Sequence, residues 1–186
     1  MEDARSLNVD KELKGMTVLR INTGDKMGEI SDIIIQPVEG RVIGILVRTD
    51  EGQERALATQ DIFIGKDAVM TKAGAHFVDE RSGQGMEGGV PAIGEIIGTN
   101  VVTDDGNLIG RVSGVHISLD IPRAVYHVTE STLQRFLGGG FYIAGDLPIA
   151  YSEDGVRLIV PAGTEETYAV MTVNEAFGAQ RQEAGR

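Results

Sequence analysis

Gly24-Asp25-Lys26-Met27-Gly28-Glu29-Ile30-Ser31-Asp32-Ile33 stands 82 residues before Gly106-Asn107-Leu108-Ile109-Gly110-Arg111-Val112-Ser113-Gly114-Val115. Both stretches run through a glycine turn, an apolar residue, a second glycine, a charge, an aliphatic residue and a serine. The segment upstream repeats as well. Gly15-Met16-Thr17-Val18-Leu19 matches Gly98-Thr99-Asn100-Val101-Val102 at an offset of 83, so one loop differs by one residue. Self-similarity at a fixed spacing marks a duplicated structural unit.

Each copy carries the chemistry of a β-meander. Asn22-Thr23-Gly24-Asp25 and Asp104-Asp105-Gly106-Asn107 are turns, because Gly, Asn and Asp tolerate positive φ. Gly28 and Gly110 fall inside strand patterns, where glycine marks a bulge or a sharp bend that lets a small sheet curl. Gly15, Gly24, Gly98 and Gly106 are structural glycines on the same reasoning. Ile33-Ile34-Ile35 and Val42-Ile43-Gly44-Ile45-Leu46-Val47 flank the turn Pro37-Val38-Glu39-Gly40. Such short β-branched runs fit strands better than helices. Further strands are expected at 55–58 and 68–71, and in the second copy at 108–119, 124–129, 141–149 and 156–160.

The repeated motif, together with Leu13-Lys14-Gly15-Met16-Thr17-Val18 and Ile34-Ile35, resembles the opening of a PRC-barrel domain, and so does Gly98 through Ile117. The family is named after the cytoplasmic domain of the photosynthetic reaction centre H subunit. It includes the C-terminal domain of a bacterial ribosome maturation factor, which pairs that barrel with a different N-terminal one. Here both halves resemble PRC-barrels. The resemblance implies an all-β fold of two small, mostly antiparallel barrels in tandem, and an adaptor role with no catalytic residues. The expected organisation is a first barrel at 10–78, a glycine-rich linker at 79–92, a second barrel at 93–162, and a partly disordered C-terminal extension or short helix at 163–186. The halves are expected to fold separately.

Composition narrows the function classes. The chain has 28 acidic and 17 basic residues in 186, a formal charge of -11. The residues through Ala92 carry 11 basic and 16 acidic side chains and the remainder 6 and 12, so neither half is a hidden basic domain. Direct nucleic-acid binding is not expected, since a phosphate backbone would repel both halves. With no cysteine there is no disulfide, thiolate metal site or cysteine nucleophile. No apolar run approaches the ~20 residues needed to span a bilayer, so a cytoplasmic protein is expected. Ser82-Gly83-Gln84-Gly85-Met86-Glu87-Gly88-Gly89 lacks the lysine or following helix of a phosphate loop and reads as a linker.

The polar candidates read blandly. His116 and His127 lie on neighbouring strands but lack further zinc ligands beyond Asp120 or Glu130 in an unproven geometry, so they read as separate strand histidines. His76 stands alone. Asp104–Asn107 lacks the later ligands of a calcium loop. Ser31 and Ser113 occupy matched positions without a nucleophile context and serve strand geometry. No catalytic residue, metal or cofactor is expected. One segment breaks the repeat: residues 130–142 have no equivalent in the first copy and gather Phe136, Leu137, Phe141 and Tyr142. This cluster either plugs its own barrel or binds a protein partner or a second copy. The reading that results is a non-enzymatic protein-binding scaffold. The alternatives are a ribosome-assembly-type factor that binds a basic ribosomal protein, and a small-ligand or metal-binding barrel.

Overall fold

A computed structural model describes residues 6–78, 90–118, 122–130 and 139–177. The first repeat forms β2 (Thr17–Arg20), β3 (Lys26–Gln36), β4 (Arg41–Arg48), β5 (Glu54–Ala58), β6 (Ile62–Ile64) and β7 (Val69–Thr71). The second forms β8 (Asn100–Thr103), β9 (Leu108–Ser118), β10 (Ala124–Thr129), β11 (Phe141–Ala144), β12 (Ala150–Tyr151) and β13 (Arg157–Val160). The two sheets have the same strand order, β5-β4-β3-β2-β7-β6 and β11-β10-β9-β8-β13-β12. In each, the first and last long-range partners are parallel (β2 with β7, β8 with β13) and the other neighbours antiparallel.

The duplicated motif curls both sheets in the same way. Gly28 has φ +146 and Gly110 φ +155, in the region that favours glycine. A Cβ on Gly110 would lie 2.8 Å from the Thr129 carbonyl oxygen, and one on Gly28 would run into that of Arg48. The glycines therefore allow β3 to cross closely over the end of β4, and β9 over the end of β10. The matched serines are the extra residues of two β-bulges. Register slips past Ser31 between Ile30 and Asp32, and past Ser113 between Val112 and Gly114. A bulge bends and twists its strand, so bulge and glycine together fold each long strand over the core. The other four repeated glycines, Gly15, Gly24, Gly98 and Gly106, lie outside the strands, all with positive φ.

The repeats meet about a local two-fold relation. Arg41 bridges Arg123, its own equivalent in the other copy. The Val42 amide donates to the Pro122 carbonyl at 2.8 Å, and the Ala124 amide donates to that of Gly40 at 2.7 Å. The lead segments are exchanged. The additional strand β1 (Ser6–Asn8), ahead of the first repeat, pairs with Ser118, Ile117 and His116 of β9. Ala92, ahead of the second repeat, bridges Ile34 of β3. A short helical turn follows each lead: Val9–Leu13 after β1 and Ile93–Ile96 after Ala92. Each turn begins the same way, with the amide of Asn8 bonded to Glu12 (2.6 Å) and that of Ala92 to Glu95 (3.0 Å).

One buried cluster joins the two copies. It contains Val9, Leu13, Ile33, Ile45 and Leu57 from the first, and Ile93, Ile96, Ile117, Tyr126 and Leu158 from the second. Each such aliphatic side chain, fully buried, contributes about 1.5–3 kcal/mol. Tyr126 crosses the junction: it is fully buried and its hydroxyl donates to the Pro37 carbonyl at 3.0 Å.

Two boundaries differ from the sequence reading, and the short C-terminal helix that it expected is present. The strand expected at 141–149 stops at Ala144, because Gly145 presses directly on Gly40 and Ala124 and turns the chain; Pro148, without an amide hydrogen, follows. A separate strand, β12, then forms. Val90–Ala92, read as linker, belongs to the fold, with Ala92 buried against β3; residues 79–89 lie outside the described ones. In the C-terminal extension Thr164–Thr167 is helical, Val170 bridges Tyr142, and 173–177 is helical again; the residues beyond, expected to be disordered, lie outside the described ones.

Candidate functional site

Alternation along β9, β10 and β11 sends every second side chain away from the shared core. Val112, Val115 and Ile117 of β9, Tyr126 and Val128 of β10, and Ile143 of β11 face inward. His116, His127 and Tyr142 face outward, at adjoining positions: Tyr142 pairs with His127 in register, and His116 pairs with Val125, two residues before His127.

These outward groups form one cluster. The Tyr142 ring stacks on His127 with centroids 4.6 Å apart and meets His116 edge-on at 5.7 Å. Ser113 Oγ is 2.8 Å from His127 Nδ1 and also donates to the His127 carbonyl at 3.2 Å. Asn8 Nδ2 lies 3.4 Å from His116 Nε2. Two strands of chain seal the margins. β1 brings Asn8, while the C-terminal segment exchanges two backbone bonds between Val170 and Tyr142 (2.8 and 3.0 Å) and buries Ala176 and Phe177 with Val125.

Both imidazoles are held below their ordinary pKa of 6.5. Burial is the main cause for each; His127 adds to the effect on His116, and a bond to the Gly139 backbone opposes it for His127. The cluster is thus a neutral, half-buried, aromatic and polar surface around neutral pH. The histidines are not separate, as the sequence suggested: Tyr142, brought in by the third strand, joins them. Sequence reasoning missed this because the β10–β11 connection is long, and nothing local to Tyr142 sets its register against His127.

Phe141 and Tyr142 turn out to do different things. Being adjacent on a strand they point to opposite faces; Phe141 packs on the shared core and Tyr142 joins the outer cluster. Phe136 and Leu137 lie outside the described residues, in the connection 130–140 between β10 and β11. The corresponding β4–β5 connection, 49–53, is far shorter. His76 is elsewhere, its Nδ1 3.4 Å from the Gly74 carbonyl. Asp104–Asn107 is the β8–β9 turn: Asp105 and Asn107 bond each other at 3.0 Å, and Asp104 accepts from the Ala162 amide at 2.9 Å.

Other features offer less chemistry. A shallow open cleft at the two-fold junction is lined by Val38, Glu39, Arg41, Pro122, Arg123 and Asp146. Its arginines are engaged, Arg123 with Asp146 at 2.6 Å and Arg41 with Glu39 at 3.1 Å. Among the described residues no group of three or more His, Cys, Asp or Glu could hold a metal ion, and no helix is long and apolar enough to cross a membrane.

No curated protein matches the sequence. Among solved structures, a 16S ribosomal RNA processing protein, RimM, from Pseudomonas aeruginosa is similar at 10% identity and a TM-score of 0.30. The match covers 87% of this chain and 99% of that one. A likeness of that size does not bear on what this chain does. Residues 9–78 match the PRC-barrel domain. That span runs from the exchanged lead turn through β7, the whole of the first sheet, and the second sheet repeats its strand order. Residues 9–78 are therefore a PRC-barrel domain, and the second sheet is a further unit with the same strand order.

Proposed function

We propose that this chain is a non-enzymatic adaptor that binds a protein partner through the outer face of its second sheet and the adjoining β10–β11 connection. One observation carries the reading. At the surface where the first copy is buried and largely aliphatic, the second carries the half-buried His116, His127 and Tyr142, and its β10–β11 connection, the eleven residues 130–140, contains Phe136 and Leu137. Aromatic groups with polar tips are the residues that anchor protein interfaces. The acidic composition would steer a basic partner towards it.

Phe136→Ala with Leu137→Ala tests this. A photo-crosslinking residue at position 136 would identify the partner in native extract. The double variant should keep its melting temperature and lose the crosslinked species' affinity by tenfold or more, about 1.4 kcal/mol. Unchanged affinity would move the binding surface elsewhere on the molecule.

A further inference from the structure

The two exchanged lead segments are seated by equivalent contacts of different chemistry. In one, Ala92 lies on Ile34; in the other, Asn8 lies on His116. Ala92 with Ile34 has no imidazole; the ionisable groups that hold that lead are carboxylates, Asp32 accepting from the Gly94 amide and Glu95 from the Ala92 amide, each at 3.0 Å. The second contact has an imidazole, and its polarity is constrained from both sides.

Asn8 caps the turn Val9–Leu13. Its Oδ1 accepts from the Lys11 amide at 3.0 Å, and its own amide is held by Glu12. With the oxygen so engaged, the side-chain group turned to His116 is the NH2, a donor only. His116 Nε2 must therefore accept, so it carries no hydrogen, and the ring is the neutral Nδ1-H tautomer. A proton on Nε2 would set two donors against each other at 3.4 Å.

We propose that the Asn8–His116 contact is an acid-sensitive latch. Neutral His116 holds strand β1 on the second sheet; protonated His116 releases it and uncovers the edge of β9 at His116–Ser118. The freed edge is a row of backbone donors and acceptors, of the kind that accepts an extended strand from another chain.

The surroundings of His116 set the direction. Burial disfavours its charged form, and His127 on β10 and Lys11 on the lead turn add to this. Glu12, on the same turn, opposes them, and Tyr142 on β11 offers an uncharged ring edge. A group whose folded pKa is depressed stabilises the fold fully above its unfolded value, here 6.5. That contribution is lost as pH falls below it towards the folded value. The latch therefore holds at neutral pH and weakens under mild acid.

Hydrogen exchange by mass spectrometry on the full chain tests the latch, with each rate corrected for the intrinsic pH dependence. Protection of Ser6–Asn8 should fall by about tenfold from near pH 7.5 to near pH 5. Protection of the Ala92 lead in the same molecule should stay level. Asn8→Ala with His116→Ile transplants the first copy's contact and should abolish the response of β1. His116→Gln, an uncharged acceptor, should do the same if the double variant proves unstable. His127→Leu should leave the response in place. An equal fall in both leads, a level β1, or a response surviving in both His116 variants would overturn the latch.

Discussion

The outer faces of the two sheets are the same surface written twice. Ile34, Leu46 and Ala56 in the first occupy the positions of His116, His127 and Tyr142 in the second. The registers place them so: Leu46 pairs with Ala56 as His127 pairs with Tyr142, and Ile34 faces Ala92 as His116 faces Asn8. Even the covering strand recurs, with Val78 bridging Ala56 and Val170 bridging Tyr142. The first face is closed mainly by a small aliphatic cluster of Ile34, Leu46, Ala56 and Ala92, with the Asp32 carboxylate accepting from the Gly94 amide at 3.0 Å beside it. The second substitutes imidazole and phenol rings whose polar atoms need partners. One backbone arrangement can thus carry two surface chemistries, because the fold is fixed by the inward residues and leaves the outward ones free to diverge.

The largest expected effect comes from dividing the comparison in two. Separate folding was the expectation from sequence, but the shared core and the exchanged leads predict the opposite. Expressed apart, 1–78 and 90–186 each leave half of that cluster in water, and each lacks the lead strand that pairs across. Far-ultraviolet circular dichroism should show little cooperative unfolding in either alone, and an equimolar mixture should regain it. Two halves that melt cooperatively on their own would show that the junction is a docking contact rather than a common core.

Gly28→Val and Gly110→Val should come next, and alike. Both glycines combine positive φ with a partner strand too near for a Cβ. Strain and overpacking together should cost about 2–4 kcal/mol in each copy, read as a shift in the denaturation midpoint. A tolerant site in one copy only would mean that the repeats curl by different devices.

Tyr126→Phe probes the junction more gently. Burial holds this phenol protonated, with its pKa well above the ordinary 10.0, so it acts as a donor to Pro37 throughout the physiological range. Removing the hydroxyl should cost about 1–2 kcal/mol and leave the secondary structure unchanged. No loss in chemical denaturation would show that the bond adds little to the meeting of the repeats.

Much of this was legible in the residues. The repeated glycine-aliphatic motif gave the strand pairs, the turns at Gly24 and Gly106, and the sharp bends at Gly28 and Gly110, because all of these are local; that bulges fall on Ser31 and Ser113 came only from the register. The exchange of leads was not legible. Ser6–Asn8 is a short polar strand that acquires its meaning only from β9, more than 100 residues on. The short strands β6 and β12 were missed for the same reason: three and two residues carry too little periodicity. Of the candidate site, the connection after β10 stood out through its aromatic residues. The two histidines gave no hint of their common neighbour, since a register across a long connection is set by the sheet and not by the segment.

The finest distinction between the copies lies in one hydroxyl. Ser31 and Ser113 sit on the same bulge, but their neighbours differ. Ser113 bonds His127, whereas the position of His127 in the first copy belongs to Leu46, which offers nothing. The Ser31 hydroxyl is accordingly buried with no partner among the described residues. A buried hydroxyl without a bond costs free energy, and one that is bonded contributes about 0.5–1.5 kcal/mol. The same substitution should therefore have different signs. Ser113→Ala should destabilise by about 1 kcal/mol and free the His127 ring, which nuclear magnetic resonance would register as a shifted titration. Ser31→Ala should be neutral or stabilising by up to about 1 kcal/mol. Equal losses at both positions would mean that the serines act through the bulge backbone alone, and that the polar cluster of the second face contributes nothing to holding β9 against β10.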